Sequence, residues 1–129
     1  MSLLFNIGKF KKNGKDTYSY DVPYTQREIK MGTWIDGKPI YRKTIDFGEL
    51  PNATLKSVSH QIANLDKCVK MQGVAVSSSN LIPLPYIWIN NTTYDIVLYV
   101  DKAKVNIQTG INRTGLHGYV TLEYTKTTD

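Results

Sequence analysis

Short segments in which apolar and polar residues alternate recur along this chain, and turn-forming residues separate them. In residues 40–47 the alternation puts Tyr41, Ile45 and Phe47 on one face of an extended strand. Asp36-Gly37, just before this segment, supplies the backbone geometry of a two-residue hairpin turn. Because helical periodicity is weak throughout, these segments predict a fold built from β-strands.

The second half of the chain repeats this pattern. Residues 96–100 and 105–109 alternate on either side of Asp101-Lys102, which predicts a second hairpin. Residues 119–124 alternate again and predict a last strand. About seven short strands at spacings near ten residues are typical of an antiparallel β-sandwich, here expected to be jelly-roll-like.

Three segments carry less certain signals. Residues 54–62 fit either a helical stripe or a strand, and we favour a strand that ends near His60. Gly73 interrupts a strand pattern over residues 68–77 and predicts a β-bulge. Pro83 and Pro85 cannot donate to a central ladder, so residues 81–89 are expected at a sheet edge.

The chain of 129 residues fits one domain, assigned to residues 25–129, after an N-terminal segment 1–24 that is a basic arm or an extra edge strand. The formal net charge is +5, and the arm's lysines precede the first acidic residue, Asp16. From Asp16 onward twelve basic residues face eleven acidic ones. Nucleic acid is therefore an improbable partner of the domain. The four lysines are Lys9, Lys11, Lys12 and Lys15.

The start of the chain lacks the pattern of an export signal, because its lysines follow the apolar residues instead of preceding them. We therefore expect synthesis in the cytoplasm. The longest apolar stretch is far short of the ~20 residues that span a bilayer, so no membrane insertion is expected. Cys68 is the single cysteine, which excludes an intramolecular disulfide and is expected to fill space in a strand.

Catalytic and metal-binding patterns are not found in the sequence. The two histidines, His60 and His117, have no His-x-x-x-His spacing, and Cys68 lacks a Cys-x-x-Cys partner. We expect His60 to make a buried or interface hydrogen bond and His117 to lie in a surface turn. The chain is thus predicted to be no enzyme and to need no cofactor.

A binding surface is the function that the composition favours, because flat aromatic rings stack on sugars or form the centre of protein interfaces. For each ring, packing in the core is the competing interpretation. The polar side chains of two loops complete the set of ligand or interface candidates. These candidates are Trp34, Tyr86, Trp88, Asn91, Tyr94 and Arg113, with Tyr99 as a further aromatic candidate.

Two strings carry a resemblance to a known group of proteins: residues 32–48 (GTWIDGKPIYRKTIDFG) and residues 118–129 (GYVTLEYTKTTD). Together with residues 56–60 (KSVSH) and 64–66 (NLD), they resemble a module at the C-terminal end of phage and prophage tail-fibre, head-fibre and related virion structural proteins. The resemblance covers residues 24–129. It implies a β-sandwich on a virion appendage, assembled as a homo-oligomer, with a trimer favoured.

For function, the resemblance implies a fibre-tip or receptor-binding module that contacts a glycan or protein of the host surface. The competing hypothesis is a capsid decoration, head-fibre or baseplate assembly protein that binds other virion proteins. The chain carries a short lysine-rich arm where a long fibrous shaft is usual. It is therefore either an excised domain or a compact virion protein whose arm docks on a capsid or baseplate.

Overall fold

The computed structural model describes residues 7–12, 15–20 and 22–129, with the backbone alone in the first two ranges. The described elements are β-strands and one short 3-10 turn (Thr92–Tyr94). The strands are β1 (Ile7–Lys12), β2 (Lys15–Tyr20), β3 (Ile29–Thr33), β4 (Pro39–Glu49), β5 (Leu55–Ser59), β6 (Leu65–Val76), β7 (Leu81–Leu84), β8 (Ile96–Val100), β9 (Lys104–Thr109) and β10 (His117–Lys126).

Eight of these strands form two packed antiparallel sheets. One sheet has five strands in the order β3-β4-β10-β6-β7, and the other has three in the order β5-β9-β8. The paired strands β5 and β9 both lie between the paired strands β4 and β10 in chain order. This nesting of one antiparallel pair within another is the jelly-roll-like feature of the topology. The predicted all-β sandwich is confirmed.

The inner faces of the two sheets meet in a single apolar core. Alternate residues of β10 point inward, and Val120, Leu122 and Tyr124 are fully buried there. Ile45 and Phe47 of β4 flank them, as the alternation predicted. The smaller sheet contributes the buried side chains Ile96, Val105 and Ile107.

Both predicted hairpins are confirmed, but the first has three turn residues, Ile35, Asp36 and Gly37, instead of the predicted two. The turn between β3 and β4 has Gly37 at a φ of +89°, where the Gly37 N–H donates to the carbonyl of Trp34. In the turn between β8 and β9, the Asp101 carboxylate accepts from the N–H groups of Ala103 and Lys104 at 2.8 and 2.7 Å. Asp101 thereby stabilises this turn through its side chain.

The segment 54–62, which fitted either a helix or a strand, forms strand β5, which ends just before His60. His60 follows β5 and is buried, and its Nδ1 accepts from the Ile62 N–H at 3.1 Å. Nε2 therefore carries the proton and donates to the Asp101 carbonyl at 3.0 Å. The prediction of a buried, hydrogen-bonded His60 is confirmed.

The prediction of a bulge at Gly73 is wrong. The register between β6 and β10 shifts elsewhere, where Val69 and Asp66 are the extra residues of β6. A side chain at Gly73 would lie 2.9 Å from the Tyr119 carbonyl oxygen and 3.1 Å from the Leu84 side chain. Glycine is needed there because of close approach between neighbouring elements.

The predicted surface-turn position of His117 is also wrong. His117 begins β10, opposite Glu49 of β4 and Val76 of β6. Its Nε2 lies 2.5 Å from a carboxylate oxygen of Asp46. Because β10 pairs with a strand on each side, it extends two residues beyond the predicted range 119–124 at each end.

In the N-terminal segment, β1 and β2 pair with each other as a separate two-stranded antiparallel sheet. The structure describes only the backbone of β1 and β2, so the side chains of the arm's four lysines are outside the description. Pro83 lies in β7, the edge strand next to β6, as its missing N–H predicted.

Candidate functional site

Three of the aromatic side chains predicted to bind a ligand or partner come together between β7 and β8. The Trp88 ring lies 5.0 Å from the Tyr94 ring and 6.0 Å from the Tyr86 ring, measured between centroids. The Tyr86–Trp88 contact is edge-to-face and the Trp88–Tyr94 contact is tilted, both favourable arrangements. We call Tyr86, Trp88 and Tyr94 the aromatic platform.

Backbone hydrogen bonds fix the position of the platform. Tyr86 and Ile96 exchange two of them, at 3.0 and 2.8 Å, so the first ring is tied to the start of β8. The N–H of Trp88 donates to a carboxylate oxygen of Asp95 at 2.7 Å. Trp88 therefore sits in a segment whose backbone is held on both sides of the loop.

Asn91 supports the platform from the loop. Its side-chain oxygen accepts from the Thr93 N–H at 3.0 Å and caps the 3-10 turn that carries Tyr94. Gly110 packs directly beneath this turn, where any side chain would collide with the Thr93 backbone. The observed role of Asn91 is thus to shape the loop.

Arg113 also reaches the platform, where its side chain contacts Tyr94 and Tyr86. One of its terminal nitrogens, Nη2, donates to the Tyr94 carbonyl at 2.6 Å. Its guanidinium lies 5.9 Å from the centre of the Tyr86 ring, within reach of a cation–π interaction. Its Nε is buried and has no hydrogen-bond partner among the described residues. Arg113 therefore positions Tyr86 and Tyr94 relative to each other.

The platform remains open to solvent on one side. Trp88 is 43% exposed and Tyr94 39% exposed, although both rings contact each other. The aliphatic residues next to Trp88 in the chain are more exposed still, with Ile87 at 58% and Ile89 at 94%. A cluster of exposed apolar side chains held in a fixed arrangement is suited to binding another molecular surface.

Two further candidates lie outside this cluster. Trp34 belongs to the turn between β3 and β4, where its backbone N–H donates to the Lys38 carbonyl at 2.8 Å. Tyr99 is exposed on β8, across from Asn106 of β9. The structure brings neither ring into the aromatic platform.

A charged cluster at the start of β6 was not predicted from the sequence. The Asp66 carboxylate lies 3.0 Å from the Lys67 Nζ, 3.3 Å from the Lys38 Nζ and 2.8 Å from the Thr125 hydroxyl. The hydrogen bonds from Lys67 and Thr125 hold the pKa of Asp66 far below its ordinary value, against a smaller opposing effect of burial. Lys38 and Thr125 are distant in the chain from Asp66 and Lys67, so local spacing gives no signal for the cluster.

Cys68 is half-buried on β6, and burial raises the pKa of its thiol. This environment favours the neutral thiol, in keeping with the expected role as a space-filling residue.

Two kinds of structural feature are absent from residues 7–12, 15–20 and 22–129. No group of three or more His, Cys, Asp and Glu side chains there is placed to hold a metal ion. Within the same ranges, no helix has the length and hydrophobicity of a transmembrane span.

Comparisons with protein-family models, with curated proteins and with solved structures gave no match for this chain.

Proposed function

We propose that this chain is a surface-recognition module of a bacteriophage virion, which contacts the host surface through the aromatic platform. The observation that carries the proposal is the arrangement of Trp88, which is part-exposed yet fixed by its contacts with Tyr94 and Asp95. A preorganised aromatic side chain loses little conformational freedom on binding. The resemblance of residues 32–48 and 118–129 to virion fibre modules supports the biological setting.

The chemistry of the platform favours a protein ligand. Ile87 and Ile89, the chain neighbours of Trp88, are exposed, and aliphatic together with aromatic side chains are typical of the buried core of protein interfaces. The Asn91 amide oxygen and the Arg113 guanidinium are engaged inside the site. Apolar contact, with few free polar groups, is therefore the main attraction that this surface offers.

An assembly role without host binding is the second candidate, and one observation favours it. Ile89 is almost fully exposed, which is unfavourable for a surface that stays in water. Another virion protein or a second copy of the chain would cover it permanently. The two functions differ in whether Trp88 remains accessible once the protein has assembled.

Light scattering and cell staining separate these functions. We expect a homo-oligomer, with a trimer favoured, whose mass is unchanged in Trp88→Ala. We also expect the fluorescently labelled chain to stain susceptible bacteria in a strain panel, with binding reduced about tenfold by Trp88→Ala. Trp34→Ala is the matched control, because it removes the same ring from a different turn.

Two results would contradict host recognition through this surface. Loss of the oligomer in Trp88→Ala, with no staining by the unmodified chain, would assign the platform to assembly. Staining that is equally strong in both tryptophan variants would place recognition elsewhere on the molecule.

A further inference from the structure

A groove crosses the outer face of the five-stranded sheet and shares no residue with the aromatic platform. Two adjoining cavities of about 200 and about 440 Å³ make up this groove. Tyr24 and Tyr119 line both cavities, so the two tyrosines stand where the cavities adjoin. We call it the tyrosine groove.

Tyr24 is held in place from below by Arg42. The guanidinium carbon of Arg42 lies 4.5 Å from the centre of the Tyr24 ring. The same side chain donates to the Val22 carbonyl at 3.3 Å and to the Glu123 carboxylate at 2.9 Å. A backbone hydrogen bond from Thr44 to the Thr25 carbonyl, 2.9 Å long, fixes the adjoining segment.

The ring of Tyr24 nevertheless keeps most of its surface free. It is 68% exposed, and Tyr119, the other residue shared by the two cavities, is 39% exposed. The Tyr119 ring also rests against the His117 ring, with 4.8 Å between centroids. Each of the two rings is thus supported by a neighbouring side chain and keeps part of its surface open to solvent.

The floor of the groove is polar and uncharged in its centre. The hydroxyl oxygens of Thr44 and Thr121 lie 3.0 Å apart across β4 and β10, and Gln72 of β6 lines the groove beside them. Hydroxyl and amide groups both donate and accept hydrogen bonds. They match the hydroxyl groups of a sugar, which also do both.

Charges along the groove balance. Lys70 and Arg42 bring two positive charges, while Asp46 and Glu123 bring two negative ones. Arg42 and Glu123 neutralise each other in a largely buried ion pair. A polyanion such as nucleic acid or an acidic polysaccharide gains no net attraction from such a surface.

From the two exposed aromatic rings, the neighbouring hydroxyl and amide groups and the balanced charge, we infer that the tyrosine groove binds a neutral oligosaccharide. The apolar faces of sugar rings pack on Tyr24 and Tyr119, and sugar hydroxyls bond to Thr44, Thr121 and Gln72. This is a second binding site, independent of the proposed protein contact at Trp88.

The test is a titration of the full chain, followed by heteronuclear NMR, with cellohexaose, maltohexaose and mannohexaose. Hexagalacturonate serves as the anionic comparison. We expect at least one neutral hexasaccharide to shift the amide signals of β10 and β6 around Thr121 and Gln72, and to do so saturably. Tyr24→Ala and Tyr119→Ala are expected to weaken this binding at least tenfold.

The variants keep the result interpretable. Tyr24 lies outside the strands, so Tyr24→Ala tests the groove even if Tyr119→Ala disturbs β10. Trp88→Ala is expected to bind the sugar as well as the unmodified chain does.

The inference is overturned if no neutral hexasaccharide binds, if hexagalacturonate binds more tightly, or if Tyr24→Ala leaves binding intact. Binding lost in Trp88→Ala but kept in Tyr24→Ala would move the sugar site to the platform. The light-scattering and staining results at Trp88 bear on the proposed function alone.

Discussion

Replacing Gly110 by alanine tests whether the loop that carries the platform is packed as tightly as the structure shows. The new methyl carbon would lie 2.8 Å from the Thr93 carbonyl carbon and closer still to its oxygen. Thr93 belongs to the 3-10 turn beside Tyr94, so the collision is with backbone and no side-chain rotation relieves it. The turn must withdraw by about 1 Å to restore ordinary contacts.

We expect this overpacking to lower the free energy of unfolding by about 1–3 kcal/mol. With a urea dependence of about 2 kcal/mol/M, the unfolding midpoint should fall by roughly 1 M. Because Tyr94 touches Trp88, the tryptophan emission of the folded state should change as well. Urea titration followed by fluorescence measures both effects.

Gly115→Ala is the matched control, because an added methyl group there meets no atom within 4 Å. Both changes reduce the conformational freedom of the unfolded chain by the same amount. The difference between the two variants in free energy of unfolding therefore measures the cost of the collision with Thr93. Equal midpoints for Gly110→Ala and Gly115→Ala would refute the described packing of the turn.

Two further predictions concern stability. The lowered pKa of Asp66 means that its contribution is present above the unfolded-state value of 3.8 and is lost as pH falls below it. Thermal melts at a series of pH values should therefore show a weaker loss of stability on acidification in Asp66→Asn than in the unmodified chain, and parallel curves would contradict this. Leu122→Ala removes a fully buried side chain and should cost about 2–5 kcal/mol in urea unfolding. Leu81→Ala, at an exposed edge position, should stay within about 0.5 kcal/mol, and comparable losses in the two variants would contradict the assignment of the core.

The sequence indicated the strands well because strand signals are local. Alternation over residues 40–47 follows directly from the geometry of an extended chain, and Asp36-Gly37 marks its hairpin without reference to other segments. Tyr86, Trp88 and Tyr94 also lie close together in the chain. Their convergence needs only a short loop between neighbouring strands.

Features that depend on strand order were missed for a physical reason. A glycine in a strand signals a bulge or a close approach, and only the position of Tyr119 and Leu84 shows that Gly73 serves the second purpose. The tyrosine groove depends on the placement of Tyr24 beside β10, which no local pattern encodes. Arg113 was expected to bind a ligand, and its hydrogen bond to Tyr94 depends on the tertiary fold, in which the segment after β7 is joined to β8 by the Tyr86–Ile96 bridge.

The central position of β10 sets the order of events during synthesis. β10 is the last strand of the sandwich to leave the ribosome, yet it lies between β4 and β6 and supplies Val120, Leu122 and Tyr124 to the middle of the core. Until it emerges, β4 and β6 lack the strand that joins them and expose unpaired backbone and apolar side chains. Folding therefore proceeds after translation of the domain and through long-range pairing, which is slow and prone to intermolecular association. Binding of a chaperone to nascent chains that end before His117 is the expected cellular consequence of this strand order.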